Sequence, residues 1–193
     1  MRSLFALVSL IGLAACVESE PVRLPTEHLR QSGAPLVETY ELAKETHALV
    51  NEERALRRLP PLRWSPLLSQ VAERHSRDMA ARNYFDHVSP EGRMPSDRAI
   101  RANATCGGRR NANVLENLAQ TWLFRKETVV NDGPNRSVTY DWRTQEDIVE
   151  ESVTRWIRSA THREALLNRR ARQQGVGVSI RGDGQVLITQ VMC

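Results

Sequence analysis

Apolar residues recur at helical spacing in three stretches of the chain and at strand spacing near its end. From about Glu38 to Leu59, residues Leu42, Leu49, Val50 and Leu56 lie near one helical face, and Pro60-Pro61 stops the run. Ser65-Pro66 then offers a capping hydroxyl with proline at the first helical position. Leu68, Ala72, His75 and Met79 follow at helical steps and predict a second helix to about Asn83. A polar loop with His87, Pro90 and Gly92 leads to a short helix from Pro95 through Arg101. Residues Asn113 to Phe124 are apolar enough to be buried. Thr128 to Trp142 reads as two extended arms around a turn-rich centre, Asn131 to Asn135. Thr144 and Asp147 form a capping box before a helix whose Val149, Val153, Trp156 and Ile157 face inward. Finally, Val176–Ile180 and Gln185–Val191 flank Arg181-Gly182-Asp183-Gly184, a hairpin pattern.

The first residues follow a different pattern. Behind Arg2, Leu4 to Leu13 is an apolar run too short to span a bilayer, which reads as a secretory signal over residues 1–15. Leu13-Ala14-Ala15 leads into Cys16 and resembles the bacterial lipobox, which makes Cys16 the expected lipidated first residue of the mature chain. The plain alternative is a signal peptide followed by an incidental cysteine. Val17 stands where an aspartate would mark inner-membrane retention, so the pattern resembles outer-membrane sorting in Gram-negative lipoproteins. Residues 16–36, with Pro21, Pro25, Gly33 and Pro35, read as a tether, leaving 37–193 as one domain. The sequence has no internal repeat, second hydrophobic span or glycine-rich phosphate loop.

Charge and cysteines narrow the setting. The 27 basic residues outnumber the 23 acidic ones, and nearly all of the positive charge is arginine, with Lys44 and Lys126 the only lysines. The densest cluster, Arg169-Arg170-Ala171-Arg172, reads as a solvated face, or as a contact for anionic head groups. Without a basic-aromatic stripe, an exported chain of this kind is not expected to bind nucleic acid. Setting Cys16 aside leaves Cys106 and Cys193. In an oxidising compartment an even pair suggests one disulfide, with two free thiols as the alternative.

His87, Glu116 and His162 each sit in a polar stretch beside a predicted helix. Two imidazoles and a carboxylate that converge can bind a divalent metal or move a proton. Each also has a structural reading: His87 as a solvated loop residue, His162 as a helix cap, Glu116 as a buried acceptor that orients one of the histidines. Asn51 and Arg54 read as ties between the first helix and the core, and His75 as a packing residue.

Six segments in order resemble the CAP superfamily, the SCP-like family of cysteine-rich secretory, antigen 5 and pathogenesis-related proteins, in its bacterial branch. They are Val50-Asn51-Glu52-Glu53-Arg54, Leu59-Pro60-Pro61-Leu62, His75-Ser76-Arg77-Asp78-Met79-Ala80, the loop Phe85–Gly92, Leu115-Glu116-Asn117-Leu118-Ala119, and Trp156 through Asn168. Gly175-Val176-Gly177-Val178 then enters the closing strands. The resemblance implies an α+β fold, a three-layer α-β-α sandwich around a central, mostly antiparallel sheet. It also implies a cleft lined by two histidines and two glutamates able to bind a divalent cation such as zinc. His87, Glu116 and His162 occupy three of those positions, and His87 and His162 are the candidate metal ligands. Ser159 stands at the fourth, where it cannot act as a charged ligand, and Leu115 replaces the usual glycine before the glutamate.

There is no His-Glu-x-x-His helix and no nucleophile elbow, and if Glu116 ligates a metal no general base remains among these residues. Ser159 lies three positions before His162, so a Ser-His-Glu grouping is a minor alternative. The leading expectation is a non-catalytic, lipid-anchored envelope module, placed in the outer membrane and facing the periplasm. Its cleft would bind a lipid-like molecule or an envelope protein. The rivals are a metal-dependent hydrolase of peptide or cell-wall substrates and a structural protein with a vestigial cleft.

Overall fold

The computed structural model describes residues 27–106 and 113–193. The expected signal segment 1–15 and the lipidation candidate Cys16 lie outside the described residues.

The helices form where local signals predict them. Helix α1 is Glu27–Gln31, α2 is Thr39–Ala55, α3 is Pro66–Arg82 and α4 is Pro95–Arg101. Ser65 caps α3 by accepting from the Leu68 N–H, and Asn83 ends the helix in the left-handed region at φ 54°. Helix α5, Gln145–Arg158, opens on the reciprocal Thr144/Asp147 capping box. It is followed after Ser159 by α6, Ala160–Leu166. Two boundaries differ from the sequence reading. Helix α2 ends at Ala55, short of Leu59, because Arg58 turns into the left-handed region and the Leu59 N–H reaches back to the Arg54 carbonyl. The last part of the expected tether is folded: Leu29 of α1 is buried, and Trp142 Nε1 donates to the Ser32 carbonyl at 3.3 Å.

The central sheet has four strands in the order β1 (Arg63–Trp64), β5 (Gln173–Ile180), β6 (Gln185–Met192), β2 (Leu115–Trp122). Among the described residues only the β1–β5 pair is parallel. A separate hairpin, β3 (Phe124–Asp132) with β4 (Asn135–Trp142), continues from β2 around Gly133. Side chains alternate across the sheet. Val176, Val178, Val186, Ile188 and Ala119 join the main core with α2, α5 and Trp156, while Leu187, Val191 and Leu118 pack on the α3 side. Helices therefore cover both faces, the three-layer α-β-α arrangement.

Two ties hold the layers in place. Arg54 is fully buried and donates to the carbonyls of Pro60, Leu166 and Asn168, linking α2 to the end of α6. Asn51 exchanges two hydrogen bonds with the Leu62 backbone. Cys106 and Cys193 form a disulfide with 5.5 Å between their Cα atoms. Closing a loop with a sequence separation of 87 is worth about 4–5 kcal/mol as an upper figure.

Helix α3 lies almost in backbone contact with β5. A Cβ on Gly175 would sit 2.0 Å from the Ser69 amide nitrogen, and one on Gly177 would sit 2.0 Å from that of Glu73. Ser69 and Ser76 use the proximity to donate to the carbonyls of Val176 and Gly177. Gly177→Ala should therefore push a whole helix off the sheet and cost about 3 kcal/mol or more, beyond ordinary overpacking. Urea denaturation of the purified variant measures this, and a loss under about 1 kcal/mol contradicts the rigid apposition.

Candidate functional site

The candidate site is built at β2, an edge strand, because alternation sends Glu116 to the α3 side. The Glu116 side chain is 1% exposed. Such a carboxylate is costly unless it is paired and hydrogen-bonded. Arg98 on α4 supplies the charge: one terminal nitrogen donates to Oε1 at 3.0 Å and to Oε2 at 2.8 Å. Its other terminal nitrogen donates to the carbonyls of His87 and Arg93, holding the loop between α3 and α4. His87, on that loop, closes the group with Nδ1 2.9 Å from Glu116 Oε1. A carboxylate only accepts, so Nδ1 carries the hydrogen, and Nε2 of the neutral ring is the lone-pair nitrogen. The His87 side chain is 44% exposed, so Nε2 is the part of this group available to a ligand.

His75 lies beneath, fully buried on α3, with Nε2 donating to the Asp86 carbonyl at 3.0 Å and 3.9 Å from Glu116 Oε1. Burial pushes its pKa down, and Arg98 adds to the effect, against the opposing pull of Glu116. Tyr84 donates to Asp78 at 2.6 Å, and burial together with this bond pushes the phenol up to about 12. His162 sits on α6 at the same edge. Burial lowers its pKa, and His87, whenever it is protonated, lowers it further. Its position is set through the backbone: Asn117 donates to the His162 carbonyl at 3.1 Å and to Gln190 at 3.0 Å. Gln190 in turn bonds Gln174, which reaches His47 Nδ1 at 2.8 Å, so an amide ladder crosses the sheet beneath His162.

Of the sequence candidates, the structure joins His87 and Glu116 directly and sets His162 within electrostatic reach of the His87 ring. Ser159 is the hinge between α5 and α6, and its side chain makes no cap hydrogen bond. The partner of Glu116 is His87 rather than His162, so no Ser-His-Glu relay is formed. The sequence reading missed Arg98, whose short, charge-rich helix looks like ordinary surface. It also treated His75 as packing alone, where the ring is both buried and part of the polar group. A catalytic zinc centre takes three protein ligands and an open position. Both Glu116 oxygens are already bonded and Ser159 offers no carboxylate. Among the described residues no group of three or more His, Cys, Asp or Glu side chains is arranged to hold a metal ion. The donors left are two imidazoles, which do not fit a three-ligand zinc centre.

Two outcomes follow from these contacts. Arg98→Ala should leave the Glu116 carboxylate buried without its arginine partner and cost about 3–5 kcal/mol. Adding Glu116→Gln should restore part of that loss in a double-mutant cycle of denaturation free energies, and strict additivity would contradict the pairing. His75 and His162 have folded pKa values below 6.5, so below about pH 6.5 the unfolded chain takes up protons that the folded one does not. Stability should fall as pH drops from 6.5 towards those lowered values and hold above it. His75→Gln should flatten the slope in urea midpoints measured from pH 8 to pH 5.

Comparison with known proteins agrees with this architecture. The model of the cysteine-rich secretory protein family, CAP, matches residues 47–193. Two proteins of Bacillus subtilis are similar: the uncharacterized protein YkwD, 27% identical over 146 residues, and the uncharacterized membrane protein YlbC, 30% identical over 135. The matches take in 76% and 70% of this chain but only 45% and 31% of those proteins, so the chain spans less than half the length of either. An outer surface protein of Borrelia burgdorferi has the same fold at 17% identity, with a TM-score of 0.59 over 81% of this chain and 94% of that one. An extracellular SCP-domain protein of Bacillus anthracis is similar at 22% identity, with a TM-score of 0.56 over 86% and 49%. With the family match running from α2 to the last residue, this chain belongs to the cysteine-rich secretory protein (CAP) family.

Proposed function

We infer that this protein is a non-catalytic binding module outside the cytoplasm, tethered to the envelope through a lipidated Cys16. On this reading the edge of β2, with His87 and His162, is its ligand cleft. The observation that carries it is the commitment of Glu116: Arg98 and His87 occupy its oxygens, so the carboxylate serves as a fixed acceptor that orients a ring and is itself neither a free metal ligand nor a free base. Phe85 and Met94, exposed at the two ends of the His87 loop, favour an apolar partner, a lipid-like molecule or an envelope protein. The location is supported by what the relatives are: an outer surface protein and an extracellular protein. No helix among the described residues is long and apolar enough to cross a membrane. The leader and Cys16 supply the export and anchoring, with outer-membrane placement following from Val17.

The expected result is saturable binding of a lipid or envelope component by the purified protein, weakened at least about tenfold in His87→Ala with the fold intact by circular dichroism. Equilibrium binding against phospholipid, fatty-acid and envelope-protein fractions measures it. Stoichiometric zinc together with metal-dependent peptide or cell-wall hydrolysis, abolished in Glu116→Gln, would replace this reading with a hydrolase.

A further inference from the structure

A second hollow, of about 310 Å³, opens between α3 and α4 on the far side of Arg98. Its walls carry Arg74, His75 and Asp78 from α3, Arg93 from the loop, and Arg98 and Arg101 from α4, over a floor that includes Val71 and Ala102. The charges in it are unequal. Arg98 is matched by Glu116, and the one carboxylate of the lining, Asp78, is occupied by Arg82 and Tyr84. Arg74, Arg93 and Arg101 are exposed, and among the described residues none has a carboxylate within ion-pair distance. In addition, Arg98 Nε is a buried donor with no acceptor among the described residues. Like charges gathered from two helices and a loop repel one another unless something of opposite sign comes between them.

We propose that this hollow is an anion subsite that takes a phosphate monoester group. Guanidinium forks match the oxygens of phosphate. A carboxylate brings one charge against three unmatched cations, whereas a phosphate monoester brings about 1.5 to 2 at neutral pH. The volume suits a head group and not an acyl chain, while Val71 and Ala102 give an apolar backing for a short carbon skeleton. Arg98 joins the two sites: the residue that holds Glu116 and the His87 loop also lines this hollow, through the α4 turn that carries Arg101. The subsite is distinct in its lining from the binding cleft proposed above, since neither His87 nor His162 is among its walls.

The same chemistry can come from a soluble ester or from a membrane head group. Calorimetric titration with sn-glycerol 3-phosphate tests the first. Sedimentation with phosphatidate-containing phosphatidylcholine vesicles, against pure phosphatidylcholine vesicles, tests the second. Arg74→Gln/Arg101→Gln should weaken binding about tenfold or more. Arg169→Gln/Arg170→Gln, an equal loss of charge at exposed positions elsewhere, should change it less than about twofold. Binding of the soluble ester with that pattern assigns a free phosphate ester, and binding of the vesicles alone with that pattern assigns the head group. No saturable binding to either probe, or equal weakening by both double variants, overturns the proposal. His87→Ala should leave the affinity unchanged, which separates this site from the cleft.

Discussion

The approach of helix α3 to strand β5 is the constraint on which the rest depends. Two glycines, Gly175 and Gly177, remove the side chains that would hold the helix off the sheet, and the helix backbone fills the space. Serine hydroxyls of α3 then bond the strand carbonyls across the gap. The depth of that contact places His75 against the edge strand at Glu116 and sets where the chain leaves α3 at Asn83. From that point the His87 loop has only a few residues in which to turn back over β2.

Around this frame, the polar centre is organised by one buried carboxylate. Glu116 cannot be left unpaired in an apolar layer, and the pairing it obtains decides the character of the site. Arg98 neutralises it, while the hydrogen bonds from Arg98 to the His87 and Arg93 carbonyls shape the loop. The same carboxylate fixes the hydrogen of His87 on Nδ1. His162 approaches from the opposite layer, held through its backbone by Asn117, with its pKa lowered by burial. The outcome is two imidazoles brought to one edge of the sheet, with the His87 ring oriented by the carboxylate. With both Glu116 oxygens engaged and a serine at position 159, these side chains do not supply a three-ligand centre.

The elements were largely legible in the sequence. Ser65-Pro66, the Thr144/Asp147 box and the Arg181–Gly184 turn act within a few residues of themselves, and each appears where local chemistry puts it. The ordered motifs also carried the family and, through it, three residues of the site. Arg98 was not legible. One of two arginines on a seven-residue helix has no local signature, and its importance arises only when α4 is laid beside the edge strand. His75 was misread for a related reason: its helical spacing matched the core face, and the core at that point holds a carboxylate. The amide ladder Asn117–Gln190–Gln174–His47 was equally hidden, since its members come from three strands and a helix.

What the residue order determined by itself was the set of helices and hairpins, the glycines at positions 175 and 177, and the kinds of side chain available at the site, because capping, turn formation and apolar spacing operate over short stretches of chain. Only the tertiary structure decided that Glu116 bonds His87 and Arg98 instead of His162, and that unmatched arginines gather around a hollow between α3 and α4. Those pairings depend on the face to which strand alternation turns Glu116 and on how closely α3 and α4 settle against it, distances set by packing among parts of the chain far apart in sequence.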